Sequence, residues 1–384
     1  MAKHRKKLIE LCNIQYGYAF DSGEFTEDKK FIPLVRIRDV KRGYSETFYC
    51  GEYPKEYVLH AGDLLVGMDG EFNIARWRSR DALLNQRVCK IVAKENTDEE
   101  YLRFYLVKAL KEIEDKTSFA TVKHLSAKEL NKLELDIPEY SEQKEMSSAL
   151  KIVEYIIELR KRELEELDDL IKSRFVELFG DPIHSDKFDY VRVETCVADK
   201  NDMVDGPFGS QVDTKVDYIE NGEIPVIRTV NVKMMQFSPL DLKFMTREKY
   251  NAVIRSQVLP GDVILTKVGT IGNVCIFPED YDEAVLSTTG SCRIRVDESK
   301  MNKVFFAYNL MYLKPRLLEI ASAGVQPFLN MKHVKNIEVL NVPMEQQEQF
   351  ADFVRQVDKS KFEVQKSLKE TQVLMDSLMQ QYFG

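Results

Sequence analysis

The chain closes twice on one phrase. Leu170-Ile171-Lys172-Ser173-Arg174-Phe175-Val176-Glu177-Leu178-Phe179-Gly180 is answered by Leu374-Met375-Asp376-Ser377-Leu378-Met379-Gln380-Gln381-Tyr382-Phe383-Gly384, at an offset of 204. A duplicated unit that ends on a helix restricts the fold to two related halves with pseudo-two-fold character. Proteins of that kind suit objects that also have two related halves, duplex DNA above all.

The duplication continues towards the N-terminus. Gln143 answers Gln347, and Leu133-Glu134-Leu135 answers Ile337-Glu338-Val339, at the same offset of 204. Gly62-Asp63-Leu64-Leu65-Val66 answers Gly261-Asp262-Val263-Ile264-Leu265 at offset 199, and Ile32-Pro33-Leu34-Val35-Arg36 answers Ile224-Pro225-Val226-Ile227-Arg228 at offset 192. The falling offset places the extra residues of the second copy in its globular part. Tails matched in length on unmatched globules favour tails that pair with each other over tails that each fold back on their own globule.

A chain of 384 residues has room for two or three domains. Short apolar runs alternate with turns up to about residue 140. Phe31–Ile37, Asp63–Val66 and Arg87–Val92 read as strands, and Glu99–Glu112 has helical periodicity. From Ser141 the apolar residues recur at spacings of three and four: Ile152, Ile156, Leu159, Leu164, Leu167, Ile171, Phe175 and Leu178. Gly180-Asp181-Pro182 stops this helix. Roughly 35 residues would make it about 50 Å long, too long for one small domain to cover. Val357, Val364, Leu368, Leu374 and Leu378 make the matching stripe in the second tail. The expected fold is α+β: a globule (1–140), a helix (141–180), a second globule (181–344) and a second helix (345–384). The two long helices are expected to pair antiparallel as a coiled coil, through Ile156, Leu164, Leu167, Ile171 and Leu178 on one side and the second stripe on the other.

Charge and composition narrow the function. The net charge of −8 argues mildly against nucleic-acid binding. Only the local field at a contact counts, however. Acidic residues gather in the first tail (Glu163, Glu165, Glu166, Asp168, Asp169) and basic ones in the first globule (Arg36, Arg38, Lys41, Arg42, Arg76, Arg78, Arg80). The six cysteines form no Cys-x-x-Cys pair, and the five histidines show no ligand spacing, so no metal is expected and a reducing cytoplasm fits. No apolar run approaches membrane-spanning length, and the start lacks a signal-peptide core. There is neither a phosphate-binding Gly-x-x-x-x-Gly-Lys loop nor an Asn-Pro-Pro-Tyr-like methyltransferase signature.

Several of these phrases, in this order and duplicated, resemble the specificity subunit of type I restriction–modification enzymes. They are the Gly-Asp-aliphatic runs at Gly62–Asn73 and Gly261–Gly272, Leu84-Asn85-Gln86-Arg87-Val88, the proline-to-glutamine stretches Pro138–Gln143 and Pro343–Gln347, and Phe179-Gly180-Asp181-Pro182. Pro343 stands one residue out of register with Pro138. The resemblance implies two target recognition domains, each reading one half of a split double-stranded DNA site. It implies helices that set the gap between the halves and dock two methyltransferase subunits, with motor–nuclease subunits joining the complex. It also implies a non-catalytic chain that binds no cofactor, S-adenosylmethionine serving the methyltransferases and ATP with Mg2+ the motor–nuclease. A two-headed helical scaffold that does not bind DNA is the alternative.

Arginine suits guanine edges, asparagine and glutamine suit adenine, and Lys, Arg, Ser and Thr suit phosphates. On that basis the first globule's candidates are Arg36, Arg38, Asp69, Glu71, Asn73, Arg76, Arg78, Gln86, Lys123 and His124. The second globule's are Ser210, Gln211, Arg228, Lys267, Thr270, Asn273, Thr288, Thr289 and Gln326. Each competes with a plainer role as solvated surface or turn cap. Asp69-Gly70 and Gly269-Thr270 also suit hairpin turns, Arg36 and Arg228 also suit structural ion pairs, and Trp77 is expected to pack rather than stack on a base.

Overall fold

The computed structural model describes residues 4–116, 124–288, 290–321 and 327–384. Packing divides the chain into two units, Met1–Arg162 with Gln365–Gly384, and Glu163–Val364. The two are built on one α+β plan.

In the first unit an antiparallel sheet runs in the order Cys12–Tyr16, Val88–Ala93, Leu64–Gly67, Asn73–Arg76. A second sheet holds Ile32–Val35 parallel to Ala82–Leu84. A third, of two strands, pairs His4–Lys7 with Glu134–Ile137. The second unit repeats these as Met203–Asp205, Ser291–Ile294, Val263–Thr266, Val274–Ile276, as Ile224–Ile227 parallel to Ala284–Leu286, and as Tyr190–Arg192 with Glu338–Leu340. The strand expected over Phe31–Ile37 ends at Val35, because a short helix, Ile37–Arg42, starts there.

The repeated Gly-Asp phrase proves to be a turn that launches the central strand. Gly62 and Gly261 have φ of +97° and +85°, a region that favours glycine. The next aspartate locks the turn: Asp63 accepts from the His60 backbone N–H at 2.8 Å and Asp262 from that of Leu259 at 2.7 Å.

The two long helices are Tyr140–Phe179 and Met344–Phe383, 40 residues each. Their starts match at offset 204, so the displaced proline does not displace the helix. In the second unit the segments run antiparallel. Asp168 meets Lys361 at 2.6 Å, while Phe179 lies against Phe350 with ring centroids 5.6 Å apart. Leu167, Ile171, Leu178 and Val357 join the core there, Val364 is buried and Leu164 is half-buried. In the first unit Met146 and Leu150 share a core with Leu378 and Phe383, and Leu368 is half-buried.

Two expected pairing residues face outward instead: Ile156 is 37% exposed and Leu374 is 49% exposed. The inward row is Met146, Leu150, Val153 and Ile157, with Met375 in the other helix. One position along a helix is about 100° of rotation, enough to turn a side chain out of the seam.

Candidate nucleic-acid interface

Strand pairing brings separate loops to one edge of each unit. In the first, Val35 pairs in parallel with Leu84, so Arg36 and Asn85 leave their strands at the same end. Gly67 pairs with both Val88 and Asn73, which puts Arg87 and the connection 68–72 at the corresponding end of the neighbouring sheet. A bridge between Tyr18 and Asn85, and donation from the Gln86 N–H to the Tyr18 carbonyl at 2.8 Å, tie the two sheet ends together. His124 completes the edge by bridging Asp69.

The second unit repeats the construction. Ile227 pairs with Leu286 and Thr266 with Ser291, and Val268 bridges Phe328 as Asp69 bridges His124. Asp205 pairs with Cys292, so the loop bearing Ser210 and Gln211 starts from the same end.

On the first edge Arg36, Arg38, Glu71 and Gln86 are exposed. Lys41 meets Glu71 at 3.2 Å, and Asn73 donates to the Glu71 carbonyl at 2.9 Å. Asp69 and Gly70 lie in the connection of a hairpin, as the turn reading expected, with Gly70 at φ +70°. On the second edge Ser210, Gln211 and Thr270 are exposed, and the Thr288 N–H donates to the Tyr218 hydroxyl at 3.2 Å. Arg228 donates to the Asp241 carboxylate at 2.7 Å, which suits its ion-pair reading. Equivalent positions carry different chemistry. Asp69 and His124 in the first unit correspond to Val268 and Phe328 in the second, 43% and 50% exposed, with Phe208 exposed beside Ser210 and Gln211.

Some candidates fall elsewhere. Arg76 pairs with Leu64 at the opposite end of the sheet, where its guanidinium donates to Glu100 at 2.7 Å, Glu99 at 2.9 Å and the Gly62 carbonyl at 2.6 Å. Burial would lower its pKa, but the two glutamates outweigh burial and raise it. Arg78 is exposed at that same far end and packs over Gly43. Lys267 and Asn273 are buried. Lys267 pairs with Asp205, while Asn273 donates to the Val232 carbonyl at 3.0 Å and accepts from Lys314 at 2.7 Å. The expectations for Arg76, Lys267 and Asn273 are corrected, because internal partners and burial commit those groups to the fold, while Arg78 stays exposed but follows Arg76 away from the edge. Trp77 is buried and donates to the Arg80 carbonyl at 2.7 Å, in keeping with a packing role. Lys123, Thr289 and Gln326 lie outside the described residues.

Arg87, expected as the first residue of a strand, is a further basic side chain at this edge. It lies instead in the preceding turn at φ +71°. A basic residue directly after the turn-forming Asn85-Gln86 is the signal that would have found it. Among the described residues no cluster could hold a metal ion.

A family model described as the type I restriction modification DNA specificity domain matches twice, over residues 3–169 and 207–373. The chain is 29% identical over 402 residues to the type I restriction enzyme EcoBI specificity subunit of Escherichia coli, covering 98% of this chain and 83% of that protein. It is 21% identical over 341 residues to the MjaVIII specificity subunit of Methanocaldococcus jannaschii, covering 84% and 80%. A solved S subunit of a type I restriction–modification system from M. genitalium shares the fold, with a TM-score of 0.57 at 16% identity over 100% of this chain and 96% of that one. With two copies of its domain in one polypeptide, this chain belongs to the type I restriction–modification DNA specificity family.

Proposed function

We propose that the two strand-end edges are the DNA-reading surfaces of a type I specificity subunit, a sequence-specific recognition subunit rather than a catalyst. One observation carries the reading: the family's domain occurs twice, and both copies build the same edge from the same strand ends but furnish it with different side chains. Unlike readers call for a bipartite, asymmetric double-stranded site, one half per reader. The target recognition domains are residues 1–140 and 181–344, and the spacer helices are 141–180 and 345–384. A scaffold that does not bind DNA would leave the family match unexplained.

The helices set the gap between half-sites and dock two methyltransferase subunits, to which motor–nuclease subunits are added. Docking is supported by an uncovered apolar row on the central helix, Ile152, Tyr155, Ile156 and Leu159, all exposed. Its spacings of three and four present one face to a partner helix. S-adenosylmethionine belongs to the methyltransferase and ATP with Mg2+ to the motor–nuclease. The cytoplasm is the location that fits, and no described helix is long and apolar enough to cross a membrane.

The test is a map of adenine methylation in cells that express this chain with its methyltransferase. One split, asymmetric motif is expected, each half methylated on one strand. A continuous palindrome, or no DNA affinity in any assembly, overturns the reading.

A further inference from the structure

We infer that Arg87 is a specificity-determining residue of the first unit, its guanidinium reading a guanine in the major groove. The inference rests on the reading of the strand-end edge as the DNA-facing surface, and the residue's own geometry carries it. Arg87 holds a left-handed backbone, φ +71°, that L side chains rarely adopt. The backbone at this point does a small job: its carbonyl accepts from the Met68 N–H at 2.9 Å. In the second unit Gly290 does the same for Lys267, at 2.8 Å. That backbone contact needs no side chain here, which leaves the guanidinium free to serve the edge. Residues held in sparsely populated backbone regions cluster at functional sites.

The side chain is exposed yet held. Its Nη1 lies against the His124 ring, 3.0 Å from Nε2 and 3.1 Å from Nδ1, and its Nε lies 3.6 Å from the Asp69 carboxylate. His124 Nδ1 in turn bonds Asp69, so the imidazole and the carboxylate hold each other beside the guanidinium. A guanidinium positioned by two neighbours loses less freedom when it binds a base. The carboxylate beside it also selects the ligand. Asp69 would repel a phosphate, whereas the guanine edge offers only the N7 and O6 acceptors that arginine takes bidentately.

The experiment compares methylation motifs set by the full chain, with its methyltransferase, for wild type, Arg87→Gly and Asp69→Asn. Glycine suits the left-handed backbone of Arg87 and is the residue whose carbonyl accepts from Lys267 at the matching place in the second unit, and a thermal melt confirms that the fold is kept. For Arg87→Gly the expected result is the loss of one G·C requirement in one half-site, with discrimination there falling roughly ten- to a hundredfold, and the other half unchanged. Asp69→Asn is expected to blur that same base pair and no other, which a merely structural role would not do. An unchanged motif, or a uniform loss of methylation with the motif intact, overturns the inference and leaves the recognition reading standing. If wild type yields no split motif, the recognition reading fails and takes this inference with it.

Discussion

Glu100 stands between two arginines. Arg76 donates to one carboxylate oxygen and Arg103 to the other, each at 2.7 Å, and Arg103 also reaches Glu154 on the central helix at 2.6 Å. Burial would raise the Glu100 pKa, but the arginines outweigh it and hold it below its ordinary value of 4.5. A carboxyl lowered by folding contributes its full stability above that value and loses it as pH falls through the lowered one. Replacing Glu100 with Gln is therefore expected to cost about 2 kcal/mol at neutral pH, and the difference from wild type should shrink in acid below 4.5. Denaturant midpoints at the two pH values measure it, and an equal gap at both would exclude the ion pair as the cause. The same network takes Arg76 away from DNA. Its residue type suits DNA, but three internal acceptors already take its donors.

At the scale of elements, each long helix is pinned to its globule by a buried glutamine. Gln143 accepts from the Asp98 N–H and donates to the Pro138 carbonyl, both at 2.9 Å. Gln347 accepts from the Asn302 N–H at 2.8 Å and donates to the Val342 carbonyl at 2.6 Å. Asp98 and Asn302 cap the next helix in their own units, so one side chain couples a helix start to a helix cap. Gln347→Ala strands a buried N–H and a buried carbonyl, at an expected cost of about 2–3 kcal/mol by urea denaturation. Gln349→Ala, at an exposed position, should stay within about 0.5 kcal/mol. Comparable losses for both would refute the pin. The far ends match too. Phe179 lies 5.0 Å from Phe305, and Phe383 lies 5.2 Å from Tyr101, centroid to centroid. The repeated Phe-Gly ending is thus a docking plug, and the ring on the other side belongs to the helix whose capping residue the glutamine holds.

At the scale of the whole molecule, the proposed reading gives the two length-matched helices the task of setting the gap between half-sites. Inserting about seven residues, roughly two turns, at matching points in both helices is expected to change the number of unread bases between the half-sites and to leave the read bases alone. Methylation mapping of the insertion variant measures this, and altered half-site bases with an unaltered gap would refute the spacer role.

The duplication, the α+β class, the two long helices and the Gly180 stop could all be read from the letters, because helical period, capping and turn chemistry act between residues a few positions apart. The proposed reading edge could not. Arg36, Asp69, Arg87 and His124 converge because strands distant in sequence pair in a particular register, and Arg76 is carried to the opposite end by the same pairing. Ile156 and Leu374 were placed on the wrong face because a 3.6-residue period leaves neighbouring apolar rows nearly equivalent until a partner covers one of them. Burial of Lys267 and Asn273 was likewise hidden, since it depends on Asp205, Val232 and Lys314 arriving from elsewhere in the chain. Local chemistry dictated the elements; contacts between residues far apart in the chain decided which side chains stay exposed at the strand-end edges.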